Sequence, residues 1–266
     1  MRGRVLIVAG SDSGGGAGIQ ADIKAVTMLD AFAMTAITAL TAQNTEGVHG
    51  VLPIDPAFIR QQMEVVLDDI GADAVKTGML HDAAVIETVA SVLADRAPRA
   101  PLVLDPVMVA KGGAPLIQSN AIDALKTQLV PRAAVLTPNL PEAEILCGRA
   151  IPDIDAMRGA ARALLALGCG AVLLKGGHLA GDAVHDVLAT ESGLTEWTSP
   201  RIATRHTHGT GCTLASAIAA GLAQGMTIAA AVERARDYVH RAIASAPGLG
   251  HGHGPLDHAH PLRGGA

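Results

Sequence analysis

The feature that most constrains the fold is a series of short apolar runs in which polar residues do not alternate. Val5–Ala9, Thr35–Ala42, Ala74–Thr77, Leu102–Leu104, Ala134–Leu136 and Ala171–Leu174 have the length of strands. A strand with one wet face would alternate apolar with polar, so these read as strands buried on both faces. Between them lie helical patterns. Asp55-Pro56 supplies an N-cap and a first-turn proline, and Ile59, Met63, Val66 and Ile70 then form one stripe. Val85, Val89 and Val92 make a second stripe, and Met157, Ala161, Leu164 and Leu165 a third. Strands alternating with helices of this length predict an α/β, three-layer αβα fold, its central sheet mostly parallel with helices on both faces. Ala183–Ala189 and Thr195–Thr198, around Glu191–Leu194, read as an added antiparallel hairpin. No linker or repeat interrupts the pattern, which predicts one domain over residues 1–266 with a Gly/His-rich flap or tail from about 247.

Charge and composition narrow the partners. Lys+Arg number 20 against 25 Asp+Glu, a net charge of −5, and the aromatics are only Phe32, Phe58, Trp197 and Tyr238. A binder of nucleic acid needs cations for phosphates and rings for bases, so that class is excluded. Cys147, Cys169 and Cys212 are odd in number and form no CxxC pair, which fits reduced thiols and a cytoplasmic location. The apolar start is too short for a leader peptide and runs directly into Ser11-Asp12-Ser13. His206–Val232 carries no charge, but Gly209, Gly211, Gly221, Gln224 and Gly225 interrupt it, so it reads as a buried helix after a glycine loop and not as a membrane span.

In a parallel sheet, ligands bind beyond the carboxyl ends of the strands, and polar segments stand at those ends here. Gly10–Gly18 follows the first strand and opens a helix at Ile19. It lacks both the GxGxxG spacing and a Walker lysine. Asp22, one turn on, either reaches back to that loop or complements the helix dipole. Gln43 ends the second strand with a planar acceptor and donors suited to an aminopyrimidine or amide edge. Met79, after Lys76-Thr77-Gly78, reads as core filler. Asp105 ends the Leu102–Leu104 strand. Asn139 and Glu142 follow the next one, spaced either to share a magnesium ion or to start a helix. Lys175, ahead of two glycines, is a cation placed to meet a polyphosphate. Thr207-His208-Gly209-Thr210-Gly211-Cys212 then forms a nest of backbone N–H groups before a helix, able to hold a migrating phosphoryl group. At that helix start the Cys212 thiol is expected to be acidified and able to take a proton from a substrate hydroxyl, or else to offer only its N–H. The histidines after Gly250 match no zinc spacing.

Taken together, Ala9–Asp22, Ala42–Asn44, Asp105–Met108, Thr137–Glu142, Lys175–His178 and Thr207–Cys212 resemble the bacterial hydroxymethylpyrimidine/phosphomethylpyrimidine kinases of thiamine biosynthesis, which have the ribokinase-like fold. The resemblance runs from about Val5 to His260. It implies that ATP phosphorylates 4-amino-5-hydroxymethyl-2-methylpyrimidine and then its monophosphate. By position it implies that Gln43 reads the pyrimidine edge and that Gly10, Asp22, Met79 and Val107 line the pocket. It likewise implies that Lys175, Asn139 and Thr207 meet the nucleotide, that Glu142, Asn139 and Asp105 organise Mg2+, and that Gly209, Thr210, Gly211 and Cys212 form the anion hole. The cysteine stands where related sugar kinases carry an aspartate base; a neutral thiol spares the second-step phosphate a nearby negative charge. A homodimer is expected by analogy. Rival readings are a pyridoxine or pyridoxal kinase of the same fold and a non-catalytic pyrimidine-binding protein.

Overall fold

A computed structural model describes residues 1–108 and 119–263. In chain order the elements are β1 (Arg4–Asp12), α1 (Gly18–Met28), β2 (Phe32–Gln43), β3 (Val48–Pro53), α2 (Pro56–Asp69), β4 (Ala74–Thr77), α3 (Ala83–Arg96) and β5 (Leu102–Leu104). Then follow α4 (Ser119–Ala124), β6 (Ala133–Leu136), α5 (Leu140–Cys147), α6 (Ile154–Leu165), β7 (Ala171–Lys175), β8 (Ala183–Thr190), β9 (Gly193–Pro200), α7 (Thr210–Ala223) and α8 (Ile228–Ala244). The strands form one sheet in the order β3-β2-β1-β4-β5-β6-β7-β8-β9. β2, β1, β4, β5, β6 and β7 run parallel, while β3 on one edge and the β8–β9 hairpin on the other are antiparallel.

The pleat of β1 divides the core. Val5 and Ile7 pack with Ile19, Val26, Leu214, Ile218 and Tyr238 on the face covered by α1, α7 and α8. Leu6 and Val8 pack with Ile59, Met63, Ile86, Leu136 and Leu164 on the face covered by α2, α3 and α6. Each fully buried aliphatic side chain among them, such as Val5, Ile7, Leu6 and Ile59, contributes on the order of 2 kcal/mol by leaving water. The uncharged run His206–Val232 is not one helix: it forms α7, breaks after Ala223 and enters the first turns of α8, and α7 lies between the sheet and α8. Its small residues make that possible, since a Cβ on Gly221 would stand 2.7 Å from Ala231 Cβ. Among the described residues no helix is long and apolar enough to cross a membrane.

Three local expectations are corrected. β2 is not buried on both faces: it alternates buried with half-buried or exposed positions, because only the short edge strand β3 lies beyond it. β3 is an additional edge strand: Val-His-Gly-Val-Leu-Pro has too little apolar continuity to announce it, and it is held by pairing with β2. The α2 stripe closes on Leu67, leaving Ile70 exposed, because i, i+4, i+8 spacing turns it onto the sheet.

Candidate active site

The order β2-β1-β4 marks the point where successive crossovers diverge to either side of β1, and a cleft opens beyond the carboxyl ends of those strands. Its volume is about 810 Å³. It is lined by Gly10, Asp12, Gln43, Met79 and Val107, by Asn139, Lys175, Pro200, Ile202 and Val239, and by Gly209 to Cys212 at the start of α7. That helix start touches both the loop after β1, at Gly16, and the Lys175–Asp105 pair, through Gly209 and Gly211 respectively.

That helix start is fixed by backbone contact. Gly209 is its N-cap at φ +81°, and a Cβ there would lie 1.8 Å from the carbonyl oxygen of Gly16. Only glycine lets the loop after β1 and the loop before α7 touch. The N–H groups of the first helical turn have no acceptor within the helix, and together with the helix dipole they favour an anion at this point. Thr210 Oγ1 donates to the carbonyl of Thr207 at 2.8 Å and closes the turn.

Beside this turn stands a charged cluster. Lys175 Nζ lies 3.1 Å from Asp105 Oδ1, which also accepts from Thr137 Oγ1 at 3.2 Å. A Cβ on Gly211 would come within 3.2 Å of Lys175 Nζ, so the ammonium sits against the helix start. Burial lowers the Lys175 pKa, but Asp105 and Glu142 more than offset it and hold the ammonium charged. Asn139 and Glu142 form a capping box: Asn139 Oδ1 accepts from Glu142 N at 2.9 Å, and Glu142 Oε2 accepts from Asn139 N at 2.8 Å. The helix-start alternative is therefore realised, and it places Glu142 inward at 5% exposure. Burial, and then Asp105, push its carboxyl up to about 7 against the pull of Lys175. Two carboxylates facing one ammonium leave a deficit of positive charge, and this oxygen-donor set fits a divalent cation that keeps most of its waters.

At the loop after β1, Asp12 accepts from the N–H groups of Gly14, Gly16 and Ala17 at 2.8, 3.0 and 2.8 Å, and lies 2.9 Å from His208 Nε2. Burial raises its pKa, but His208 and the loop N–H groups outweigh that and keep the carboxyl below its usual range. One end of the Gln43 amide is 3.4 Å from His208 Nε2 and the other is 3.1 Å from Thr41 Oγ1. The tail packs behind this loop: His253 N donates to Thr45 O at 2.7 Å, and His208 N to Gly254 O at 3.1 Å. It backs the site and does not line the cleft, and among the described residues no group of three or more His, Cys, Asp and Glu is clustered as a metal site.

Two expectations are corrected here. Asp22 neither reaches back to the glycine loop nor lines the cleft. It lies wholly buried beneath the floor, bonded by Lys76 Nζ at 2.8 and 3.0 Å and by Ser216 Oγ at 2.7 Å. It is Lys76, itself 0% exposed, that lines the cleft. The Cys212 thiol is not acidified. Although the residue as a whole is partly exposed, burial at the sulfur pushes its pKa up to about 12, and Asp22 and Asp105 reinforce this against Lys76 and the Gly18 N–H. Gly10, Gln43, Met79, Val107, Asp105, Asn139, Glu142, Lys175 and Thr207 all line this one cleft together. Asp12, Lys76 and His208 also line the cleft, although the sequence assigns none of them a role of its own. The available signals were a lysine inside an otherwise apolar run and a carboxylate ending the first strand.

Residues 12–257 match the family profile described as phosphomethylpyrimidine kinase. The chain is 51% identical over 97% of its length to the hydroxymethylpyrimidine/phosphomethylpyrimidine kinase of Streptomyces coelicolor, of which it covers 95%. It is 54% identical over 97% of its length to a thiamine biosynthesis bifunctional protein of Geobacter sulfurreducens, and spans 52% of that longer chain. Among solved structures, an ADP complex of Bacillus subtilis pyridoxal kinase has a TM-score of 0.90 at 37% identity, with 99% of each chain covered.

Proposed function

The chain belongs to the phosphomethylpyrimidine kinase family, and on that premise we infer that it transfers the γ-phosphoryl group of ATP to 4-amino-5-hydroxymethyl-2-methylpyrimidine, and a second to the monophosphate, in thiamine diphosphate biosynthesis. The observation that carries this reading is the contact of the α7 helix start with both the loop after β1 and the Lys175–Asp105 pair within one cleft. The pyrimidine lies at Gln43, with Met79, Val107 and Gly10 around it. The nucleotide phosphates lie at Lys175, near Asn139 and Thr207, and the apolar residues Pro200, Ile202 and Val239 offer a place for the base.

In the first step the hydroxymethyl oxygen bonds to the γ-phosphorus as the bond to the departing ADP oxygen breaks. Charge spreads onto the equatorial oxygens, and the N–H groups of Gly209, Thr210, Gly211 and Cys212 meet it. The alcohol proton leaves late in a loose transition state of this kind, passing to an oxygen of the transferred phosphoryl group and from there to water, so little is asked of a base and Cys212 stays a neutral thiol. In the second step the nucleophile is an ionised phosphate, and the same neutral thiol avoids repelling it. Asp105, Glu142 and Asn139 would hold Mg2+, which supplies charge neutralisation between the phosphates when bound. Three free thiols support a cytoplasmic location. The exposed pair Leu40 and Leu52 on the β2–β3 edge supports a homodimer.

The likeness to a pyridoxal kinase favours one alternative substrate, a pyridine alcohol. ATP consumption measured with equal concentrations of the aminopyrimidine and of pyridoxine separates the two readings. The first predicts faster turnover of the pyrimidine and formation of its diphosphate. Turnover of pyridoxine alone, or ATP use independent of either compound, overturns it.

A further inference from the structure

We propose that Asp12 and His208 are a positioning pair that fixes which way the amide of Gln43 faces, and that this fixed amide sets the preference for an aminopyrimidine over a pyridine alcohol. The inference rests on the substrate reading above and adds to it two residues that the cleft places behind the ligand-reading glutamine.

The Asp12 carboxylate takes four donors: three loop N–H groups and His208 Nε2 at 2.9 Å. An ionised carboxylate can only accept, so His208 Nε2 carries its hydrogen toward Asp12. That nitrogen then has no lone pair to offer the Gln43 amide 3.4 Å away, and the amide end facing it must be the oxygen. The other side gives the same answer independently. Thr41 has one hydroxyl hydrogen and lies 2.9 Å from the carbonyl of Ser11, which can only accept. The hydrogen goes there, so the Gln43 end 3.1 Å from Thr41 Oγ1 must be the donating NH2. Both neighbours demand one orientation, with oxygen toward His208 and nitrogen toward Thr41.

The neighbourhood is built to hold this arrangement. His208 is 8% exposed and Asp12 2%. A Cβ on Gly16 would stand 2.5 Å from His208 Cδ2, so the ring crosses the glycine loop where only a bare backbone leaves room. The His208 backbone N–H is tied to Gly254 O, which fixes the approach of the ring from the tail side. The remaining lone pair and N–H of Gln43 thus face the cleft in a single order. An aminopyrimidine carries an amino donor next to a ring-nitrogen acceptor and pairs with that edge through two bonds. In pyridoxine the ring nitrogen has no adjacent donor, so one half of the edge is left unmatched. A site built to bond a group rejects the analogue lacking it because its own polar atoms are stranded.

A double-mutant cycle tests this, read by calorimetric binding of the aminopyrimidine and of ATP to the full-length chain. His208→Phe is expected to weaken aminopyrimidine binding about tenfold, with ATP binding within twofold of wild type. In a Gln43→Leu background the same change should cost less than twofold, because its effect passes through the glutamine. His208→Gln, whose amide N–H can still reach Asp12, should recover most of the loss. If His208→Phe does not fold, Asp12→Asn, which lets the ring reverse its proton, is expected to give the same selective loss. Equal losses in both backgrounds, equal losses for ATP and pyrimidine, or no loss at all would overturn the proposal. A wild-type chain that fails to bind the aminopyrimidine would instead overturn the substrate reading on which it rests.

Discussion

Lys76 Nζ sits 2.8 and 3.0 Å from the two carboxylate oxygens of Asp22, and neither side chain has any exposed surface. Burial alone would neutralise both groups. Burial lowers the Lys76 pKa, yet Asp22, followed by Cys212 and Asp105, holds it above the ordinary lysine range. The Ser216 hydroxyl supplies a further bond to the carboxylate. The pair joins β4, α1 and α7 under the floor of the cleft. Lys76→Met therefore leaves an uncompensated buried carboxylate and is expected to cost about 3–5 kcal/mol in denaturant unfolding. Adding Asp22→Asn removes that charge and should recover much of the loss. A double variant as unstable as Lys76→Met would show that the cost is packing rather than charge.

Gly209→Ala is expected to abolish phosphoryl transfer, lowering kcat at least a hundredfold. The new methyl group would meet Gly16 O at 1.8 Å at a backbone φ of +81°, so the two loops that frame the anion site must separate. Gly159→Ala, on α6, meets only a movable Arg149 guanidinium at 3.5 Å, and it should leave kcat unchanged while slightly stabilising the helix. Steady-state kinetics on both variants, with circular dichroism to confirm folding, checks the contrast.

Much of this architecture was legible because burial on both faces leaves a plain sequence signature. The runs ending at Ala9, Thr77, Leu104, Leu136 and Leu174 lie in parallel strands, and the polar residues that follow them line one cleft. What escaped is long-range. Asp12 and His208 are 196 positions apart and Asp22 and Lys76 are 54 apart, so no local spacing announces either pair. Cys212 departs from its sequence expectation for a related reason. A helix start favours a thiolate, but buried surroundings and the carboxylates brought in by α1 and β5 dominate, and these appear only in three dimensions.

The Glu142 carboxyl, pushed up to about 7 by burial and then by Asp105, predicts an unusual pH dependence. Its unfolded value is about 4.3, so between roughly pH 4.5 and 7 the folded chain binds the extra proton. This group's contribution to stability therefore falls as pH rises across that window, by about 4 kcal/mol at most. Melting curves of wild type and Glu142→Gln should diverge accordingly, with the variant gaining relative to wild type toward pH 8. Mg2+ together with ATP should narrow the gap at pH 8 by compensating the charge. A difference between the two proteins that does not change with pH would refute the assignment.

The Cys212 thiol, raised to about 12 by burial, should behave as an inert thiol at neutral pH despite heading a helix. Its thiolate fraction at pH 7 is then on the order of 10⁻⁵. Iodoacetamide labelling followed by peptide mass mapping, with Cys147 as internal reference, is expected to show a rate at Cys212 that climbs about tenfold per pH unit through pH 9 without a plateau. A plateau near pH 7 would restore the acidified nucleophile that the helix start alone implies. The same neutrality bears on the two transfers. Cys212→Asp puts a fixed charge beside a substrate that is itself anionic in the second step, so phosphorylation of the monophosphate should slow more than that of the alcohol. Faster conversion of the monophosphate by Cys212→Asp would show that a base, not the absence of charge, is what this position supplies.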